Sequence, residues 1–161
     1  MPEVGALCTA CRTTLALLLG AVLWFPACIH GAAAADAAEL DEKVRVFRVF
    51  AGDAVLVRQR GRTWRARLDG VEAPDPASAA GEGSRAILEK MIGGRHVRVR
   101  VLGEEPDGYR RVRMRLEQWD IAVEMARAGA VWVRSTDPEL VAAQTEARAA
   151  GLGLWADPVV R

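Results

Sequence analysis

The sequence predicts an α+β domain, mainly a five-stranded β-barrel with three helices, and three observations carry that expectation. Apolar residues alternate with arginines in several short runs, the period-2 pattern of half-buried strands. One helical stripe interrupts those runs after the third strand. Two further helices follow the last strand, each closed by a glycine.

The elements can be justified in chain order. Strand-like sequence runs from Val44 to Leu68. Val55 and Val57 alternate with Leu56 and Arg58, and Trp64, Ala66 and Leu68 alternate with Arg65 and Arg67. Arg60-Gly61-Arg62 between these runs reads as a hairpin turn. Ala73-Pro74-Asp75-Pro76 breaks the pattern, and a helix is expected over Gly81 to Ile92, where Ile87, Leu88, Met91 and Ile92 share one face. Gly93-Gly94 stops it. Val97, Val99 and Val101 resume the strand period, with Arg98 and Arg100 opposite. A loop over Gly103 to Gly108 leads to a strand from Tyr109 to Leu116, then a tight turn near Glu117-Gln118. A short helix ends at Gly129, and Asp137-Pro138-Glu139 opens the last one with a cap followed by Pro at the first helical position. Gly151 closes it, and Leu152-Gly153-Leu154-Trp155 supplies an apolar clamp. Five strands with a helix between the third and fourth is the order of an OB-fold barrel.

A chain of 161 residues holds one domain, and residues 1–35 are expected to lie outside it. Arg12 precedes the apolar runs Leu15 to Leu19 and Val22 to Phe25, and Ala32 to Ala35 follow. A basic residue, a short apolar core and an Ala-rich exit describe a cleaved secretory signal peptide, too short in its core to span a bilayer comfortably. Residues 36–43 read as a short linker and 44–157 as the domain. The mature chain, about 125 residues, suffices for one modest core and contains no transmembrane segment. Cys8, Cys11 and Cys28 all fall in the leader, so the domain is expected to hold no disulfide. Cys28 fits a lipoprotein cleavage site poorly. The expected location is therefore the periplasm or the medium.

Formal net charge is +1, so bulk charge does not announce a nucleic-acid partner. Distribution says more. Twenty of the 22 basic residues are Arg, concentrated between Lys43 and Arg115, and the planar guanidinium suits phosphate. There is no internal repeat or low-complexity segment in the domain.

Landmarks in a fixed order carry a resemblance. They are Ala51-Gly52-Asp53-Ala54, Arg67 through Gly70-Val71-Glu72-Ala73-Pro74-Asp75, Gly81-Glu82, Tyr109-Arg110-Arg111, Gly129-Ala130-Val131 and Gly153-Leu154-Trp155. In order and spacing the chain resembles the thermonuclease (staphylococcal-nuclease-like) family over residues 44–157. The resemblance implies a calcium-dependent endonuclease that hydrolyses DNA or RNA; the leader makes it exported, and with no obligate protein partner evident a monomer is expected. It assigns calcium to Asp53, Glu72 and the Ala73 carbonyl, a hard-oxygen set that suits that ion. It assigns the scissile phosphate to Arg67 and to Arg111, with Arg110 as the alternative because the hairpin before them is shorter than usual. Asp75 matches the residue that activates water, though a Pro-Asp-Pro turn could use it structurally. Tyr109 matches a substrate-contacting position and could equally edge the barrel. The tyrosines that the family often carries after Gly129 are absent, and Trp132 is expected in the core; His96 is expected to face solvent.

Four departures fall on the chemistry. Ala51 and Ala54 stand where the family has Asp and Thr, removing oxygens near the metal. Glu72 is longer than the expected Asp, and Asp75 is shorter than the expected Glu. A carbon–carbon bond is about 1.5 Å, and a misplacement of about 1 Å can cost about a hundredfold in rate. The leading expectation is a nuclease with a diverged, weakened site; the alternative is a non-catalytic barrel that binds nucleic acid or an envelope partner.

Overall fold

The computed structural model describes residues 41–156; the expected leader and most of the linker lie outside them. Strands β1 (Glu42–Val49), β2 (Ala54–Gln59) and β3 (Arg62–Leu68) form an antiparallel meander. The two-residue β4 (Val71–Glu72) and helix α1 (Ala79–Ile92) follow. Then come β5 (His96–Glu104), β6 (Tyr109–Leu116), β7 (Trp119–Asp120), α2 (Ile121–Arg127), β8 (Trp132–Val133), α3 (Pro138–Ala150) and a 3-10 turn at Gly153–Trp155.

The long strands run in the order β3-β2-β1-β5-β6, and a parallel pairing of β6 with β3 closes the barrel. Register shifts between Val46 and Arg48 in β1, and between Val101 and Gly103 in β5, bend the strands. Such irregularities supply the curvature that closure needs. This is the expected OB-fold α+β architecture.

Alternation sets the two faces. Val55, Val57, Ala66, Leu68, Val97, Val99, Val112 and Met114 are buried inside the barrel, and the intervening arginines stay outside. Leu88 and Ile92 of α1 complete the core. Truncating Leu88, which is fully buried, to Ala falls in the class that costs about 2–5 kcal/mol.

Three details differ from the sequence expectation. Helix α1 begins two residues early, because the Ser78 hydroxyl accepts from the Gly81 amide at 3.0 Å and caps the first turn. Strand β5 runs on through Gly103 and Glu104, leaving a tighter hairpin. The short strands β4, β7 and β8 were not expected, since two residues carry no period.

The C-terminal landmarks are packing devices. Gly129 and Gly153 both hold left-handed backbone, and a Cβ on either would overlap the backbone of the facing segment. Leu154 donates its amide to the Gly129 carbonyl at 2.8 Å, and Trp155 is buried. Arg148 lies over the Trp155 ring, its guanidinium carbon 4.1 Å from the ring centroid.

Candidate active site

The expected site residues come from four separate pieces of chain. Asp53 lies in the β1–β2 turn, where its carbonyl accepts from the Leu68 amide at 2.8 Å. Gly52 lets that turn lie against α1, because a Cβ there would overlap the Ser84 hydroxyl. Arg67 is next to last in β3, and its alternation with buried Ala66 and Leu68 turns it outward. Glu72 sits in β4, opposite Trp132 of β8. Asp75 sits in the turn before α1, and its Oδ1 accepts from the Ala77 amide at 2.9 Å.

Asp53, Arg67, Glu72, Ala73, Asp75 and Tyr109 all line one open cleft of about 730 Å³. Trp132 and Arg134, both beside Glu72, line it as well. Trp132 is therefore a half-buried wall residue and not the core residue expected from sequence; its buried neighbour Val131 takes the core position. His96 is exposed, as expected.

The two arginines left open by the sequence part company. Arg111 is the register partner of Arg67 across β3 and β6 and shares its outward face. It is not among the residues that line the cleft, and its Nε lies 3.1 Å from Asp69 Oδ1. Arg110 shares the side of buried Val112 and Met114. Its guanidinium carbon lies 5.1 Å from the Trp64 ring centroid, and its Nε pairs with Glu104 at 3.0 Å. One residue of strand parity separates Arg110 from the cleft.

The arginines and Glu72 already have ion-pair partners, whereas Asp53 and Asp75 are held only by backbone amides. Arg67 Nη1 bonds to Glu105 and, at 3.0 Å, to Asp107, both on the β5–β6 hairpin. Its guanidinium also stands 4.2 Å from the Tyr109 ring centroid. Burial acts to lower the Arg67 pKa, but the Asp107 hydrogen bond and the Glu105 charge outweigh it and hold it above its ordinary value. Asp107 moves the other way: slight desolvation acts to raise its pKa, and the Tyr109 amide and Arg67 bring it below the ordinary carboxylate range. Glu72 Oε2 accepts from Arg134 Nε at 2.6 Å. Glu105, Asp107 and Arg134 escaped the sequence reading, since nothing local links them to residues 38 to 62 positions away.

Asp53 makes no salt bridge among the described residues. Burial pushes its carboxyl above the ordinary carboxylate range, and neither the Ala73 amide nor the Arg67 charge offsets this. A half-buried carboxylate in that state is the electrostatic setting that a bound cation relieves. No group of three His, Cys, Asp or Glu side chains suited to a metal exists among the described residues. The donor set is then two carboxylates and the Ala73 carbonyl, all hard oxygens, and it fits calcium with water as the remaining ligands.

A closed OB-type barrel whose strand arginine shares one cleft with Asp53, Glu72 and Asp75 defines a class, the OB-fold nucleases. Comparison with known proteins narrows the class. The family described as staphylococcal nuclease homologue matches residues 65–157. An uncharacterized endonuclease of Escherichia coli is 36% identical over 131 residues, covering 71% of this chain and 79% of that protein. An uncharacterized endonuclease of Haemophilus influenzae is 31% identical over 119 residues, covering 70% and 66%. A probable staphylococcal-like nuclease of rice, CAN2, is 34% identical over 107 residues, covering 65% of this chain and 28% of its own. The chain belongs to the staphylococcal nuclease homologue family and is a nuclease by lineage.

Proposed function

We propose that this protein is an exported, calcium-dependent phosphodiesterase that hydrolyses DNA or RNA from a diverged, slow site. The observation that carries the proposal is convergence: Asp53, Arg67, Glu72, Ala73 and Asp75 meet in one cleft from separate chain segments. Export rests on the leader-like sequence of residues 1–35.

Asp53, Glu72 and the Ala73 carbonyl would hold calcium, which polarises a phosphoryl oxygen and lowers the pKa of bound water. Arg67 binds a nonbridging phosphate oxygen and neutralises charge that grows as water attacks phosphorus and the P–O bond to one sugar oxygen breaks, that oxygen taking a proton from solvent. Arg111, on the same face, reaches the phosphate once it exchanges Asp69 for it. Asp75 accepts the proton of the attacking water through the oxygen not engaged by Ala77. To bind phosphate, Arg67 must leave Glu105 and Asp107. Those contacts, the Arg134–Glu72 pair and the short Asp75 all favour slow turnover.

The same contacts favour a second reading, a barrel that binds nucleic acid without cutting it. Incubating the leaderless protein with plasmid DNA, first with calcium and then with chelator, separates the two. Chelator-sensitive cleavage that falls at least a hundredfold in Arg67→Ala supports the enzyme, in line with the loss of about 10²–10³ on removing one oxyanion donor. Salt-sensitive binding with no cleavage supports the binding module.

A further inference from the structure

A second groove, about 570 Å³, opens at the β2–β3 hairpin. Arg60, Arg62 and Arg110 line it with Trp64, Glu42 and Gln59. With Arg110 paired to Glu104, Arg60 and Arg62 against Glu42 leave the groove with a small positive excess. Arg60 and Arg62 make no ion pair among the described residues, unlike Arg67, Arg110 and Arg111.

The turn itself is unusual. Arg60 holds φ 47° and Gly61 φ 82°, the left-handed pair of a tight hairpin, where Asn-Gly is the favoured sequence. The chain accepts an unfavourable residue at the turn and so presents a cation at its tip. Below the tip the Arg110 guanidinium lies over the Trp64 ring. This pairs a flat aromatic–guanidinium surface with two free cations, the combination that holds unpaired bases and their phosphates.

Trp64 in the groove and Arg67 in the cleft lie on opposite parities of β3, and the two sites share no lining residue. Trp64 and Arg67 are three residues apart on β3, roughly 10 Å at ~3.3 Å per residue. Arg65 and Arg67 flank the Tyr109 ring between them, at 5.6 and 4.2 Å. An OB-type barrel engages about 4–16 nucleotides, so a strand with one phosphate at Arg67 must cross neighbouring surface.

We propose that the hairpin groove is a second nucleic-acid subsite, in which Arg60 and Arg62 take phosphates of a single strand and the Arg110–Trp64 pair stacks a base. The proposal rests on the reading of the main cleft as a phosphodiester site, and it adds a length-dependent contact remote from the chemistry.

The test is binding in chelator, where cleavage is absent, of a labelled single-stranded 16-mer and of a dinucleotide to the full domain. Single-strand binding changes about 0.7 decade per phosphate contact per decade of salt. Arg60→Ala with Arg62→Ala should therefore weaken the 16-mer on the order of tenfold at ~0.1 M salt and flatten its salt slope by ~1.4. The dinucleotide should bind as before, and Arg60→Lys with Arg62→Lys should retain most of the affinity. Unchanged 16-mer binding, or an equal loss for the dinucleotide, overturns the subsite. If Arg67→Ala weakens both ligands while the hairpin variant weakens neither, the cleft stands and the groove falls. If the wild type binds no 16-mer at all, both fall.

Discussion

Arg134→Ala should tighten calcium binding while slightly destabilising the calcium-free protein. Arg134 Nε sits 2.6 Å from Glu72 Oε2, and the two side chains are 62% and 53% exposed. A pair that open to water contributes about 0.2–1 kcal/mol. If calcium and Arg134 compete for the Glu72 carboxylate, binding the ion gives up that interaction. One kcal/mol corresponds to about fivefold in Kd, so removing the arginine should tighten calcium by up to about fivefold. Urea unfolding in chelator should register a loss of no more than about 1 kcal/mol. Calorimetric titration of calcium into chelator-stripped protein measures the first quantity, with Glu72→Gln as the control that loses the heat signal. Weaker calcium binding in Arg134→Ala would refute the competition and make Arg134 a support of the site. Unchanged binding would mean that Glu72 is not a ligand or that the pair is idle in solution.

Three further expectations concern single groups. Asp75→Glu should raise the calcium-dependent cleavage rate by roughly 10- to 100-fold, because it restores about 1.5 Å of reach. It should also lower thermal stability through loss of the 2.9 Å bond to the Ala77 amide; an unchanged rate removes Asp75 as the base. Glu105→Gln with Asp107→Asn frees the Arg67 guanidinium, so inhibition by a mononucleotide should strengthen, most at low salt, and unaltered inhibition would show that the hairpin acids do not compete with phosphate. Asp120 caps α2 by accepting from the Ala122 amide at 3.0 Å, yet burial pushes its pKa above the ordinary 3.8, against the pull of that amide and of Arg113. Its contribution is therefore full below pH 3.8 and lost as pH rises through the higher folded value. Asp120→Asn keeps a good cap and should flatten the pH dependence of stability across that window, measured by denaturation at pH 3 to 7; a steeper dependence would reverse the sign.

The barrel was legible because its strands are long enough to show a period. Val55, Val57, Ala66 and Leu68 alternate with outward residues, and the same alternation explains why Arg67 faces solvent. The caps at Asp137 and Gly151 were equally readable, since each is a local hydrogen-bond requirement. The start of α1 was misplaced by two residues because Ala79 and Ala80 carry no apolar period, and only the Ser78 cap defines the end. Trp132 was misassigned for a related reason. Strand β8 is two residues long, and pairing with β4, not pattern, decides which way its side chains face.

For the site the division follows distance along the chain. Composition and motif order by themselves determined the barrel, the lineage and the set of groups able to handle phosphate and a hard cation. Those properties belong to residue types and short spacings. Tertiary structure alone decided which groups meet: the parallel β3–β6 register sets Arg111 beside Arg67 and sends Arg110 to another groove. It also placed Glu105, Asp107 and Arg134 on the charges expected to serve substrate and metal. Such partners are invisible in sequence because an ion pair depends on separation in space, and barrel closure brings together side chains dozens of residues apart.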